Sequence, residues 1–210
     1  MKVIIPARGG SKGLPGKNKT LLPHTLSIIP SQYEVHVSTD DLSIAEVCNF
    51  WGVRIHSRSA DTATDKASVL GCLKEWMGSI NASPDELVLM LYLTYPQRTW
   101  REIQEGLRFM EECEASSLLC RYEPTDHPYL CFKEQGDQGV PVVDHTLYRR
   151  QDYPRCFVVS HYISAFKAGE LDNLGLNLYN KDTVFFPISK PIDVDTKQDL
   201  QSYREAHERS

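Results

Sequence analysis

No stretch of this 210-residue chain approaches the eighteen or so consecutive apolar residues that a membrane-crossing helix needs, which excludes a helical span. The opening residues, Met1-Lys2-Val3-Ile4-Ile5-Pro6, lack the apolar core and small-residue cleavage site of a secretory leader. They read as a first strand, and a cytoplasmic location is expected. Paired cysteines are also missing. Cys48, Cys72, Cys113, Cys120, Cys131 and Cys156 are scattered with no C-x-x-C, and no Cys/His spacing fits a metal cage. They read as reduced thiols, mostly buried as small hydrophobes. Positive charge is in deficit: the net charge of −5 argues against a general nucleic-acid binder, so an anion site has to be built locally. Repeats, low-complexity tracts and interdomain linkers are absent as well. At 41% hydrophobic, residues 1–210 read as one domain with a substantial core.

What is present is an alternation of short apolar runs and amphipathic stretches. Val3-Ile4-Ile5 leads into the glycine-rich Ala7-Arg8-Gly9-Gly10-Ser11-Lys12-Gly13, the usual start of an α/β unit. Glu34–Ser38 alternates as a second strand. Thr39, Asp40 and Asp41 then offer caps for a helix over Leu42–Trp51, with Ile44, Val47, Cys48 and Trp51 on one face and Gly52 at its stop. Val53–His56 reads as a third strand, Ala63–Met77 as a helix, and the apolar Glu86–Leu93 as a central strand buried on both faces. A helix over Thr99–Cys113 and a strand over Ser116–Cys120 follow. From about 122 to 157, prolines and glycines break the pattern into an excursion or hairpin arm. Strands over Phe157–Phe166 and Asp182–Ser189 and a closing helix over Asp195–His207 complete a mostly parallel sheet flanked by helices. Ligands of such sheets bind beyond the carboxyl ends of the strands, where the glycine-rich loop lies.

Two motifs carry chemistry. In Arg8–Gly13, with Lys17 following, glycines let backbone N–H groups turn toward a phosphate while the cations neutralise it. The pattern is neither a P-loop nor G-x-G-x-x-G, and alone it fits a basic surface turn equally well. Asp193-Val194-Asp195 places two carboxylates at i and i+2, on one edge of a strand, able to share a hard cation. Alone, it also fits a polar strand end with a helix N-cap.

Taken together and in order, these segments resemble the acylneuraminate cytidylyltransferases (CMP-sialic acid synthetases). The resemblance runs through Ile5–Asn18, Val37–Val47, Thr64–Ser68, Pro96–Thr99, Arg150–Pro154 and Pro191–Thr196, and the first of these is long and specific. It implies a Rossmann-like nucleotidyltransferase fold with a protruding dimerisation arm at about 122–157, and a homodimer. It implies that Ala7, Arg8, Gly9, Gly10, Ser11, Lys12, Lys17 and Asn18 hold CTP, with Arg58, Ala67 and Ser68 around the cytosine. It further implies that Asp193 and Asp195 hold Mg²⁺, and that Tyr92, Thr94, Arg150, Ser160 and His161 face an acidic keto sugar. The catalytic set is then Arg8, Lys12, Lys17, Asp193 and Asp195, transferring CMP to an anomeric hydroxyl with release of pyrophosphate. Neither nucleic acid nor membrane is a partner in that reading.

Three departures from the family stand out. Tyr92 replaces a substrate-contacting glutamine, exchanging an amide for a phenol, and Ser160–Ser164 replaces an Asn-Gly-Ala-Ile-Tyr segment. These keep open Kdo or another acceptor in place of a sialic acid, and a non-catalytic nucleotide-binding homologue. His161 fits a substrate ligand and a structural histidine about equally. Between Lys19 and Glu34, Pro23 and Pro30 leave room for a truncated helix or a single turn.

Overall fold

The computed structural model describes residues 1–207. The amino-terminal half alternates β1 (Lys2–Pro6), α1 (Lys17–Ile28), β2 (Glu34–Thr39), α2 (Leu42–Trp51), β3 (Arg54–Ser57), α3 (Val69–Ser79) and β4 (Leu87–Met90). After α4 (Trp100–Glu112) and β5 (Ser117–Tyr122) come a small hairpin, β6 (Phe132–Gln135) and β7 (Gln138–Pro141), then β8 (Val158–Lys167), β9 (Val184–Pro187) and α5 (Lys197–His207). The main sheet has the order β3-β2-β1-β4-β8-β5-β9. Only β8 runs against its neighbours, pairing antiparallel with both β4 and β5. The fold is therefore Rossmann-like, with a mixed, mostly parallel sheet. Its order reverses between β1 and β4, the switch point at which such sheets open a crevice. Among the described residues, no helix is long and apolar enough to cross a membrane.

The core lies on both faces of β1 and β4. Val3, Ile5, Leu89 and Leu91 pack with α1, α2 and α4 on one side, while Ile4, Val88 and Met90 pack with Leu73 and Trp76 of α3 on the other. The terminal signals of α2 act as the sequence indicates. Asp41 accepts hydrogen bonds from the backbone N–H groups of Ser43 and Ile44, and Gly52 closes the helix at φ +67°. Ile44 and Cys48 of its inner face are buried, whereas Trp51 is partly open. Helix α4 carries a full capping box between Thr99 and Glu102.

Three elements depart from the sequence reading, as do some of the cysteines. Helix α1 runs for 12 residues straight through Pro23. The missing hydrogen bond and ring clash cost about 3 kcal/mol. Burial of Leu21, Leu22 and Leu26, each worth about 1.5–3 kcal/mol, outweighs that cost. Helix α3 begins at Val69 rather than Ala63, because the Ser68 hydroxyl accepts from Gly71 N–H and fixes the start there. The Asp193–Asp195 segment is not strand: β9 ends at Pro187, and Thr196 with Asp199 caps α5. Of the six cysteines, Cys48, Cys72 and Cys120 are buried, while Cys113 and Cys131 are exposed.

Between Tyr122 and Val158 the chain leaves the main sheet. Residues 131–140 are exposed throughout, with Phe132 69% and Tyr148 95% accessible. This excursion is held by stacked rings of its own. Tyr129 and His145 lie 4.5 Å apart between centroids, and His127 and Tyr153 pack beside them.

Two buried histidines, His36 on β2 and His56 on β3, lie on the sheet face covered by α3. Burial lowers both from the ordinary value of 6.5; the hydrogen bond to Glu34 opposes it at His36, and the charge of Glu75 opposes it at His56. His56 also meets Ser38, whose hydroxyl lies 3.1 Å from the Cys72 sulfur, and feels the charges of Arg58 and His36. A lowered folded-state value means that the unfolded chain binds more protons. The stability contribution is complete above 6.5 and is lost as pH falls through the depressed values. Urea midpoints measured from about pH 8 to pH 5 are expected to fall below neutrality, and less steeply in His56→Gln. Superimposable profiles for the two proteins would count against this account.

Candidate active site

The glycine-rich loop leaves β1 and is tied down before it reaches α1. Ala7 N–H donates to Ser38 O at 2.8 Å, Gly9 N–H to Asp40 Oδ1 at 2.8 Å, and Asn18 Nδ2 to Arg8 O at 2.8 Å. Gly16 at φ +74° turns the chain into α1, so Lys17 stands in the first turn, where the helix field is positive. The loop reaches the far end of the sequence directly. Lys17 Nζ lies 2.5 Å from Asp195 Oδ1, and a Cβ on Gly13 would fall 2.5 Å from the backbone oxygen of Asp195.

The acidic segment is pinned against the turn that follows β4. Val194 is buried and its N–H donates to Thr94 O at 2.8 Å. Gln97 Nε2 donates to Ile192 O at 2.9 Å, and the Tyr95 hydroxyl to Asp193 Oδ2 at 3.1 Å. Asp193 is exposed on one side, but this bond sets its carboxyl inward. Burial raises its pKa first and the charge of Asp195 adds to the rise, while hydrogen bonds with Thr94 and Tyr95 and the charge of Lys17 oppose it. Two carboxylates that repel one another, one already drawing the ammonium of Lys17, suit a small divalent cation. Among the described residues no group of three or more Asp, Glu, His or Cys is placed to hold a metal. That donor set fits Mg²⁺, which takes one or two carboxylates and completes its shell with phosphate and water.

At the switch point, between the glycine-rich loop, the 58–69 segment and the end of β4, opens a cavity of about 330 Å³ whose lining does not include Asp193 or Asp195; the acidic pair meets it through Lys17. Arg8, Ser11, Lys17, Asn18, Arg58, Ala67, Tyr92 and Thr94 line it, so eight of the expected positions converge. The others lie apart in different ways. Gly9 and Gly10 line an adjoining cleft with Asp40 and Asp41. Lys12 is 81% exposed and bridges to Asp65. Ser68 serves as the cap of α3. Ser160 is buried, accepting from Tyr162 N–H, and His161 packs edge-on against Tyr92 at 5.5 Å with its value lowered by burial. The Tyr92 phenol is pushed up to about 12, chiefly by burial, so it stays neutral. Arg150 sits exposed in the excursion and lines no part of the cavity within this chain.

Sequence reasoning missed several supports. Asp65 joins Arg8 Nη1 at 2.7 Å as well as Lys12. Arg98 is 1% exposed, donating to Tyr162 O at 2.6 Å and Tyr92 O at 3.0 Å beneath the cavity wall. A loop arginine gives no sign of burial in sequence. Tyr95 and Gln97 stand in the same turn, whose only signal was its place in the motif.

Fold and loop define a nucleotidyltransferase-type α/β domain, and comparison with known proteins narrows the class. Residues 2–96 match the family model described as Cytidylyltransferase. The N-acylneuraminate cytidylyltransferase of Streptococcus agalactiae serotype V is 30% identical over 164 residues, covering 71% of this chain and 39% of that protein. The 3-deoxy-manno-octulosonate cytidylyltransferase of Acinetobacter baumannii is 31% identical over 130 residues, covering 55% and 49%. The chain thus spans less than half the length of these curated relatives. Among solved structures, the CMP:2-keto-3-deoxy-manno-octonic acid synthetase complexed with CTP superposes with a TM-score of 0.70 at 19% identity, over 99% of this chain and 98% of that one. The Francisella tularensis 2-C-methyl-D-erythritol 4-phosphate cytidylyltransferase gives 0.68 at 16% identity, over 97% and 98%. The amino-terminal part of the chain, residues 2–96, thus carries the cytidylyltransferase match, and the whole has the fold of the solved cytidylyltransferases.

Proposed function

We propose that this chain is a CTP-dependent cytidylyltransferase whose acceptor is an acidic 2-keto-3-deoxy sugar other than N-acetylneuraminate. The observation that carries the reading is the contact of Lys17 with Asp195, which joins the cationic loop to the acidic pair beside one cavity. Arg8, Lys12 and Lys17 would neutralise the triphosphate, and Arg58 with Ala67 would border the base. The acceptor's anomeric oxygen would bond to the α-phosphorus as the bond from that phosphorus to the bridging oxygen breaks. Pyrophosphate carries away the electron pair and the hydroxyl proton passes to solvent. Such a transfer rests on in-line positioning and charge neutralisation. Mg²⁺ held by Asp193 and Asp195 would supply Lewis-acid neutralisation of the phosphate oxygens.

The acceptor assignment follows from the wall opposite the loop. Tyr92, packed on His161, presents a bulky ring with a single neutral hydroxyl where an amide would offer a carbonyl and an NH₂ on separate atoms, and a wall so changed selects against a sugar that needs the amide. Relatives named for N-acylneuraminate and for 3-deoxy-manno-octulosonate both align with this chain, and a synthetase of the second kind shares its fold. Pyrophosphate release from CTP and Mg²⁺ across a panel of keto sugars tests the reading. Release with Kdo or a related acid but not with N-acetylneuraminate is the expected result. CTP bound without release for any sugar would leave a nucleotide-binding homologue instead.

Gly13→Ala is expected to cut that turnover about a hundredfold, since a displacement on the order of 1 Å is enough to do so. The added methyl meets backbone, not a movable side chain, at Asp195. An unimpaired Gly13→Ala enzyme would show that loop and acidic pair need not meet. We also assign the exposed excursion, with Phe132 and Tyr148, to a homodimer contact. Light scattering that finds only a monomer at high concentration would remove it.

A further inference from the structure

Each cation of the loop already has an internal counter-ion. Lys17 has Asp195, and Arg8 and Lys12 share Asp65. Asp65 is also the single carboxylate among the residues lining the 330 Å³ cavity, and it borders the adjoining cleft. Its mounting is particular. On one side, Glu75 of α3 accepts from Ser59 N–H, the Ser59 hydroxyl and the Thr62 hydroxyl. On the other, Ser68 fixes the start of α3. Between these anchors, Ala63 N–H donates back to Ser59 O and Ala67 N–H to Thr64 O, so the tip is a closed turn. Among the described residues, the hydrogen bonds and ion pairs joining this turn to the glycine-rich loop are those of Asp65 to Arg8 and Lys12.

We propose that Asp65 is an internal substitute for the nucleotide's phosphate, holding the Arg8–Lys12 loop closed on the 63–67 turn until the triphosphate takes its place. The inference rests on the functional reading above. Two anions cannot share the same pair of cations without repulsion, so phosphate entry displaces the carboxylate. The exchange is easy because the bridge reaches solvent, with Asp65 39% and Lys12 81% exposed, and ion pairs open to water are weak. The displaced turn carries Ala67 at the cavity rim, so phosphate capture is transmitted to the base side of the cleft. Asp65 is thus a positioning residue that opposes binding, and its removal acts on affinity with the sign opposite to that of a structural brace.

Asp65→Asn keeps the shape and removes the charge, and Asp65→Ser removes both. In calorimetry with CTP, and separately with inorganic pyrophosphate, both variants are expected to bind roughly threefold to tenfold more tightly than the wild type. In the nucleotide-free proteins, hydrogen exchange over residues 8–13 should be faster in the variants, and CTP should restore protection. Unchanged or weaker binding in both variants, or unaltered exchange, overturns the proposal while leaving the cytidylyltransferase reading intact. Failure of the wild type to bind either CTP or pyrophosphate overturns that reading, and this inference with it.

Discussion

Asp193→Ala and Asp195→Ala are each expected to lower CTP-dependent turnover about a thousandfold or more, the loss that follows when a metal's stabilisation of phosphate charge is removed. Folding should survive, because both side chains are exposed on one side and the segment is held by Val194, Ile192 and the Gln97 amide. The two variants should differ in the nucleotide-free state. Asp195→Ala frees the Lys17 ammonium, whereas Asp193→Ala leaves that pair intact and removes the carboxylate partner of the Tyr95 hydroxyl, which keeps its bond with Ser160. Initial rates at saturating CTP, with circular dichroism as the folding control, decide the matter. Rates within a few-fold of wild type in both variants, in the presence of Mg²⁺, would remove the carboxylates from the mechanism.

Arg98→Ala should cost the fold more than any surface change. The guanidinium is buried without a carboxylate partner, and its pKa is pushed down to about 10, chiefly by burial. What holds it is a pair of carbonyls, Tyr162 O and Tyr92 O, with the Tyr162 ring 5.8 Å away. Truncation leaves a cavity and strands both acceptors, a loss of about 3–5 kcal/mol. In a domain of this size that corresponds to a thermal midpoint lower by roughly 10 °C. Arg98→Lys, which keeps the charge but not the fork, should recover less than half. A shift of under about 2 °C in Arg98→Ala would mean that water replaces the guanidinium without penalty. Because Arg98 braces the strand end carrying Tyr92, the surviving folded enzyme should also show a raised Michaelis constant for the acceptor.

Much of the scaffold was legible in the sequence because local chemistry decided it. Asp41 and Gly52 delimit α2, and Thr99 with Glu102 starts α4, each through bonds made within a few residues. Where tertiary packing decided, the sequence misled. Pro23 argued against the helix that three buried leucines sustain. The i, i+2 spacing of Asp193 and Asp195 suggested a strand, but the bond from Val194 to a loop carbonyl produces the same alternation without a ladder. The direction of β8 was also hidden, since an apolar ten-residue strand reads alike in either orientation. For the cavity, the glycines and cations were visible with their chemistry, whereas Asp65 and Arg98, though inside matched segments, showed nothing of their roles. Their roles depend on partners distant in sequence.

The excursion departs from Tyr122 and returns at Val158, two residues that pair across adjacent strands. Directly opposed residues of antiparallel strands lie about 5 Å apart, so the main sheet experiences everything between them as a single hairpin turn. Length and sequence there are free to drift without transmitting strain to the cleft, while no such latitude exists at Gly13. The proposed docking face on the excursion and the proposed chemistry of the crevice would in this way be separable modules, each able to change without the other.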